Sequence, residues 1–328
     1  MELLYAFQEW PYRETFRISR SSRANSSLFL AIVRDGPFIG RGECSYLEQY
    51  GHTRQTVLDG LEDARAVLEK NPSRAEIQDL IPNSSVRNAV DCALWDLESR
   101  KQGRSVWEMA GVERMDSVEV DLTISVNPVD KMCADAVAAR ASGYTVIKLK
   151  ADKDQVVEKV AAIAAAVPDA RFIVDANEAW DINALEACAP LLHGHGVVLI
   201  EQPLHHLNDA PLSSYRGPIP ICADESCRSL AELDTLCERY QAINIKLDKV
   251  GGLTPGLALA KAAKARGLKL MIGCSGPTSL GVAPAYVLAT LADFVDLDGP
   301  ALMIDDRAHP MRYAQGRLYC FEPELWGG

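Results

Sequence analysis

The sequence predicts an α/β protein in which a small α+β unit precedes a closed parallel barrel. Three observations carry this. From about residue 118, eight β-rich runs alternate with Ala-rich amphipathic segments, and eight is the number a closed parallel barrel requires. Before about residue 115, strand patterns come first and helix patterns follow, the order of an α+β unit. Ionisable residues fall at the C-terminal ends of successive β runs, where the mouth of a parallel barrel lies. A doubly wound open sheet is the competing arrangement.

The first unit opens with SLFLAIVRD, from Ser27, and FIGRGEC, from Phe38, separated by Asp35-Gly36-Pro37. The pair reads as a hairpin. Helical stretches follow near 53–70 and 84–101, the second with Ser84-Ser85 as N-cap and Gly103 as stop. The barrel runs are VEVDLTIS, TVIKLKA, RFIVDA, GVVLIEQ, PICADE, AINIKLD, LKLMIGC and ADFVDLD. Helix patterns such as DKDQVVEKVAAIAAAV and TPGLALAKAAKARG connect them, and the connection after Glu201 is short and Pro-interrupted. The domain reading is 1–115 for the α+β unit and 116–310 for the barrel, with 311–328 packing back on the first unit. At about 150 residues per domain, 328 residues agree with two.

Composition narrows the class. Lys and Arg number 34 against 45 Asp and Glu, a net charge of −11. That argues against nucleic-acid and anionic-membrane partners, which need a basic footprint. Apolar stretches fall short of the roughly 18 residues of a spanning helix. The N-terminus, MELLYAFQEWPYRETF, mixes charge into every few residues, unlike a signal peptide. Nine cysteines lack Cys-x-x-Cys spacing and read as reduced thiols of a cytoplasmic protein.

The charged strand ends carry the chemistry. Lys148 and Lys150 interrupt the second run, and Asp175, Glu201 and Asp224 end the next three. Lys246 interrupts the sixth, and Asp296 and Asp298 sit in the eighth. From Lys150 the steps are 25, 26, 23 and 22 residues, each about one βα unit. Asp175, Glu201 and Asp224 therefore belong to three neighbouring strands. Three converging carboxylates repel one another unless a cation neutralises them. An all-oxygen set points to Mg²⁺, with Mn²⁺ the alternative. The plain alternative is that each acid caps the following helix.

Lys148 and Lys150 are two apart and share one side of their strand. Each ammonium disfavours the charge on the other. A free lysine has a pKa of about 10.4, and a lysine base works best near about 7–8. Lys246 approaches from the opposite side, whereas Lys249 is expected beyond the strand end, at the surface. A cation between opposed lysines suits proton removal next to a carboxylate. Two bases on opposite faces invert the carbon, giving racemisation or epimerisation. One base with a leaving group gives dehydration or syn elimination.

The ordered series KLK, DAN, EQP, ADES and NIKLDKVGG, with ALWDLESRKQG around Trp95, resembles the enolase superfamily, muconate-lactonising subgroup. The resemblance covers essentially the whole chain. It implies a (β/α)7β modified TIM barrel with an N-terminal α+β capping domain. It implies metal ligands Asp175, Glu201 and Asp224, and the acid/base pair Lys150 and Lys246, in sites that use Lys or His bases with Mg²⁺ on an ene-diolate. Lys148 would tune Lys150, and Asn177 and Glu225 would support the ligands.

Asp296 and Asp298 are again two apart, aimed into the mouth, and call for a positive partner. A substrate ammonium is the economical one. DLDG resembles the Asp-x-Asp motif of dipeptide epimerases in this superfamily, which holds the free amino terminus. The expected activity is Mg²⁺-dependent epimerisation of L-Ala-D/L-Glu-type dipeptides, by analogy in murein peptide metabolism. The small-molecule dipeptide is the partner, and a homo-oligomer is left open. By resemblance to Ala-Glu epimerases, Arg23, in a polar loop with Arg20, would pair with a distal glutamate carboxylate. After Cys274 the chain reads Ser275-Gly276-Pro277-Thr278, where dipeptide epimerases often carry Met, so that pocket wall differs. Backbone N–H groups at Cys274 and Ser275 remain candidates for the substrate carboxylate. Alternatives are o-succinylbenzoate synthase or a muconate-type cycloisomerase, whose substrates lack an ammonium, and a catalytically inactive metal-binding protein. His193, His195, His205 and His206 read as solvated loop residues. Gly251-Gly252 lacks the Lys-Ser/Thr sequel of a phosphate loop.

Overall fold

The computed structural model describes residues 1–18, 21–151 and 155–328. Arg20 and the expected start of the helix at Asp152 lie outside the described residues.

The N-terminal unit is an antiparallel sheet, β1 (Glu2–Ile18), β2 (Ser21–Asp35) and β3 (Phe38–Ser45), in that order. The β2–β3 hairpin turns at Gly36, whose φ of 60° is the left-handed conformation glycine adopts at little cost. Strand β1 is an addition to the sequence reading. Its mixed charges suit a strand exposed along much of its length, and it pairs with β2 from Glu2 to Ile18 with one irregularity between Pro11 and Phe16.

Four helices follow: α1 (Arg54–Leu68), α2 (Ile77–Leu80), α3 (Ser84–Gln102) and α4 (Val106–Ala110). Asn83, one residue before the expected cap, accepts the Val86 N–H at 3.2 Å, and Gly103 ends α3 as expected. Helix α3 lies against β3 so closely that a Cβ on Gly42 would sit 2.0 Å from the Ala89 carbonyl oxygen. Its other side meets the barrel, where Asp91 accepts the Thr254 N–H at 2.9 Å and Trp95 Nε1 donates to Thr254 Oγ1 at 3.0 Å.

The barrel follows sequence order. Short β4 (Ser117–Glu119) precedes β5 (Leu122–Ile124), α5 (Val129–Ala141), β6 (Val146–Lys150), α6 (Val156–Ala166), β7 (Arg171–Asp175), α7 (Ile182–Gly194), β8 (Val197–Glu201) and β9 (Ile221–Ala223). Then come α8 (Leu233–Arg239), β10 (Ala242–Ile245), α9 (Leu247–Val250), α10 (Leu253–Ala265), β11 (Lys269–Gly273), α11 (Ser279–Ala289) and β12 (Phe294–Asp296). Strands β5 to β12 form one parallel eight-stranded sheet with neighbours in chain order. The expected run VEVDLTIS is split, because β4 turns away to pair with β14 (Arg317–Tyr319), itself paired with β13 (Tyr313–Ala314). The seam closes through the Asp121 N–H on the Val295 carbonyl at 3.0 Å and the Thr123 N–H on the Asp298 carboxylate at 2.6 Å. Between β8 and β9 only a short 3₁₀ turn, Ala210–Ser214, replaces a helix.

Two cross-links hold the capping sheet over the mouth. Glu43 accepts from Thr278 N–H and Oγ1 at 2.8 and 2.7 Å and from Arg307 at 2.5 Å. Asp248 accepts from Ser45 Oγ at 3.0 Å and from Asn88 Nδ2 at 2.8 Å. Beyond β14 the chain returns to α3, where Trp326 Nε1 donates to the Cys92 carbonyl at 3.1 Å and the Gly327 N–H to Asp96 at 2.8 Å. No described helix is long and apolar enough to cross a membrane.

Candidate active site

A strand places every second side chain on one face. Val146, Ile173, Leu199, Cys222, Ala242 and Met271 pack together as a separate apolar cluster inside the barrel. Two residues further along the same strands stand Lys148, Asp175, Glu201, Asp224, Asn244 and Gly273. The strand period thus sets a charged layer directly above an apolar plug.

In that layer Lys148 Nζ lies 3.2 Å from Asp175, 2.6 Å from Glu201 and 2.7 Å from Asp296. Lys150 donates to the same Asp175 oxygen, Oδ2, at 2.6 Å, and Lys246 to Asp224 at 2.8 Å. Asn244 Nδ2 donates to Glu201 at 2.7 Å. Above the layer opens a cavity of about 490 Å³. Lys150, Lys246, Asp224, Asp296 and Asp298 line it, while Lys148, Asp175 and Glu201 lie beneath its wall, at most 1% exposed. Asn177, Glu225, Cys274, Ser275 and Arg23 reach the same cavity. Asn177 supports Asp175 through its backbone N–H at 2.9 Å, and the Glu225 carbonyl accepts from Tyr50 Oη at 3.0 Å.

The charges are unevenly matched. Burial pushes Asp175 and Asp224 up, but Lys150 and Lys148 on the first, and Lys246 and Lys249 on the second, outweigh it and hold both below the ordinary carboxylate range. Burial and then the field of Asp175 push Glu201 up to about 7. Its Oε2 has Lys148 nearby but off hydrogen-bond geometry, and no other partner among the described residues. Burial disfavours the ammonium of Lys246, yet Asp224 and Glu201 outweigh it and hold its pKa above the ordinary lysine value. Lys148 is raised likewise, against burial, by Asp296, Glu201 and Asp175. Three carboxylates thus surround the Lys148 ammonium beneath Lys150.

The residues present fit a divalent cation. Asp175, Glu201 and Asp224 supply only oxygen donors from adjacent strand ends, each at most 3% exposed, and buried Glu201 Oε2, ion-paired with Lys148, accepts no hydrogen bond among the described residues.

Four sequence expectations change. Lys249 is not at the surface. The one-turn helix α9 folds it back under the site, 4% exposed, where it donates to Asp224 at 2.5 Å and to the Asn244 carbonyl at 3.0 Å. Asp296 already has a cation, Lys148, so the acid pair does not face the mouth as equals. Arg23 lines the cavity but is engaged by Glu48 at 2.7 Å, both half exposed. His205 is exposed, as expected, but His206 is partly buried and bonded to Glu178, and both line the cavity.

Asp121 went unread. It sits in the break between β4 and β5, 2% exposed, with neither carboxylate oxygen hydrogen-bonded among the described residues and with Asp296 and Asp298 within 4.8 Å. Burial, then Asp296 and Asp298, push its pKa well up. Its one sequence signal is that it follows Glu119 by two residues in the alternating run VEVDLTIS.

A capped parallel barrel with acids and lysines at its C-terminal mouth defines the enolase-type class. Residues 1–111 match the mandelate racemase / muconate lactonizing enzyme N-terminal domain, and residues 131–318 match the enolase C-terminal domain-like family. The chain belongs to the mandelate racemase / muconate lactonizing enzyme family. It is 38% identical over 320 residues to the L-Ala-D/L-Glu epimerase of Escherichia coli K12, covering 97% of this chain and 100% of that one. It is 42% identical over 304 residues to an N-acetyl-D-glutamate racemase of Pseudoalteromonas sp., covering 92% and 95%. It is also similar to the crystal structure of an Agrobacterium tumefaciens enolase family member with homology to dipeptide epimerases, holding sodium and L-Ala-L-Glu. That likeness has a TM-score of 0.95, 37% identity and 99% coverage of both chains.

Proposed function

We infer that the protein epimerises dipeptides of the L-Ala-D/L-Glu type at the α-carbon of the second residue. The observation that carries the reading is that Lys150 and Lys246, on β6 and just past β10, line one cavity that Asp298 also lines. Lys150 takes the α-proton from one face and Lys246 returns one to the other, or the reverse, so the carbon inverts. Lys148, tied to three carboxylates, fixes the floor beneath Lys150. Asp175, Glu201 and Asp224 would hold Mg²⁺, with Mn²⁺ the alternative, and Asn177 and Glu225 support them. Such a cation supplies charge stabilisation where the substrate carboxylate becomes more anionic as the proton leaves.

Asp298, beside Asp296, holds the substrate ammonium. Arg23 exchanges Glu48 for the distal carboxylate of a glutamate side chain. The backbone at Cys274 and Ser275 faces the main carboxylate. The division into a capping unit, 1–115, and a barrel, 116–310, and a cytoplasmic location belong to the same reading.

A second reading, racemisation of an N-acylated glutamate, has one observation in its favour. Asp296 is neutralised by Lys148, which halves the acid available to an ammonium. An N-acyl substrate brings none. Incubation of L-Ala-L-Glu and N-acetyl-L-glutamate, separately, with protein and Mg²⁺ in D₂O distinguishes them by proton NMR. Deuterium at the glutamate α-carbon and the second epimer are expected from the dipeptide. Turnover of the N-acetyl compound alone would favour the second reading.

A further inference from the structure

One cluster at the mouth has no part in the reaction above. Ligand atoms of Glu178, His205 and His206 all lie within 4.8 Å of one another, and all three residues line the cavity. None of them belongs to the strand-end acids.

The backbone assembles this cluster at a cost. After β7 the chain passes through Asn177 and Glu178 with φ of 43° and 67°, and after β8 through Gln202 with φ of 34°. These are left-handed conformations that side chains with a Cβ disfavour, and they persist only where surrounding structure enforces them. Here the two loops are stitched together: the Glu178 N–H donates to the Gln202 carbonyl at 2.8 Å, and the Trp180 N–H to the Pro203 carbonyl at 2.9 Å. The stitching sets Glu178 Oε1 2.6 Å from His206 Nδ1 and 2.8 Å from the His206 backbone nitrogen. The His205 ring stacks on His206 with centroids 4.6 Å apart and planes at 21°. His205 Nδ1 accepts the Leu207 N–H at 3.2 Å, a bond that a metal at that nitrogen would displace.

Two imidazoles and one carboxylate form a donor set unlike the all-oxygen one below. Imidazole nitrogen suits zinc and its neighbours, whereas Mg²⁺ prefers oxygen. Three protein ligands with a fourth position open to a cavity is also how zinc is held at accessible sites. We propose that Glu178, His205 and His206 form a separate site for Zn²⁺ or a similar transition-metal ion at the lip of the cavity. An ion held there narrows the entrance.

The test uses the full-length protein saturated with Mg²⁺, titrated with Co²⁺ and then with Zn²⁺. The expected result is the strong visible absorption of tetrahedral Co²⁺, lost on adding Zn²⁺ and unaffected by excess Mg²⁺. The variant His205→Ala/His206→Ala should lose those bands and bind one Zn²⁺ fewer by calorimetry. Glu178→Gln, a milder change that preserves the stitched loops, should weaken the bands. Because imidazole must be neutral to bind, Zn²⁺ should also be released as the solution is acidified. Bands that persist in the double variant would place the ion on cysteines or strand-end acids and overturn the proposal. So would Co²⁺ that binds only by displacing Mg²⁺, or no uptake by the parent protein.

Discussion

Lys148 on β6 and Asp296 on β12 meet at 2.7 Å inside the barrel, reaching past β5 between them, and both are nearly fully buried. This bond divides the labour of the Asp-x-Asp pair. Asp296 belongs to the charged floor. Asp298 accepts the Thr123 N–H and keeps its carboxylate at the cavity wall.

Asp298→Asn should therefore weaken free-amine dipeptides selectively. A hydrogen bond to a charged group contributes about 1.5–3 kcal/mol, so KM for L-Ala-L-Glu should rise roughly ten- to a hundredfold. Asparagine Oδ1 still accepts from Thr123, which preserves the seam. Steady-state kinetics on paired free and N-acetylated substrates check this. An equal loss on both would remove Asp298 from ammonium binding.

Much of the fold is legible in the sequence because the strand period is. Apolar residues at Ile173 and Leu199, followed two positions later by Asp175 and Glu201, mark both the inward face and the direction of the mouth. Strand β1 escapes because Leu3-Leu4-Tyr5-Ala6-Phe7 is apolar on both faces, so the sequence shows no alternation although burial alternates there. Lys249 escapes because nothing local announces that α9 turns the chain back under the site after one turn. The split of the first barrel run, and with it the setting of Asp121, depends on β14, which lies almost two hundred residues away in the chain. The partners of Arg23 and Asp296 are likewise long-range contacts that periodicity does not encode.

Metal removal should abolish turnover and lower stability together. At a hundred times its dissociation constant, a ligand that binds only the folded state stabilises it by about 2.7 kcal/mol. Adding Mg²⁺ to chelated protein should thus raise Tm. Asp224→Asn should lose that rise along with activity. A full Mg²⁺-dependent rise in this variant would place the ion elsewhere.

Stability should also respond to pH through Asp91, on α3 of the N-terminal unit. Burial, opposed by Thr254, pushes its pKa up to about 6 from an ordinary 3.8. Between those values the folded chain holds a proton that the unfolded chain has released. This group's contribution to stability therefore falls as the pH rises from about 4 to 6. The full effect is on the order of 3 kcal/mol. Denaturation of metal-free protein at pH 4 and pH 7 should show Asp91→Asn gaining on the parent at the higher pH. A pH-independent difference would contradict the assignment.

Two-base chemistry is tested most directly by single-base variants in D₂O. Lys150→Ala and Lys246→Ala should each lose epimerisation. Each should still exchange the α-proton of one glutamate epimer, and the two variants should differ in which epimer they exchange. Proton NMR of L-Ala-L-Glu and L-Ala-D-Glu with each variant reads this out. Full epimerisation by either variant, or exchange of the same epimer by both, would contradict a carbon held between two opposed lysines.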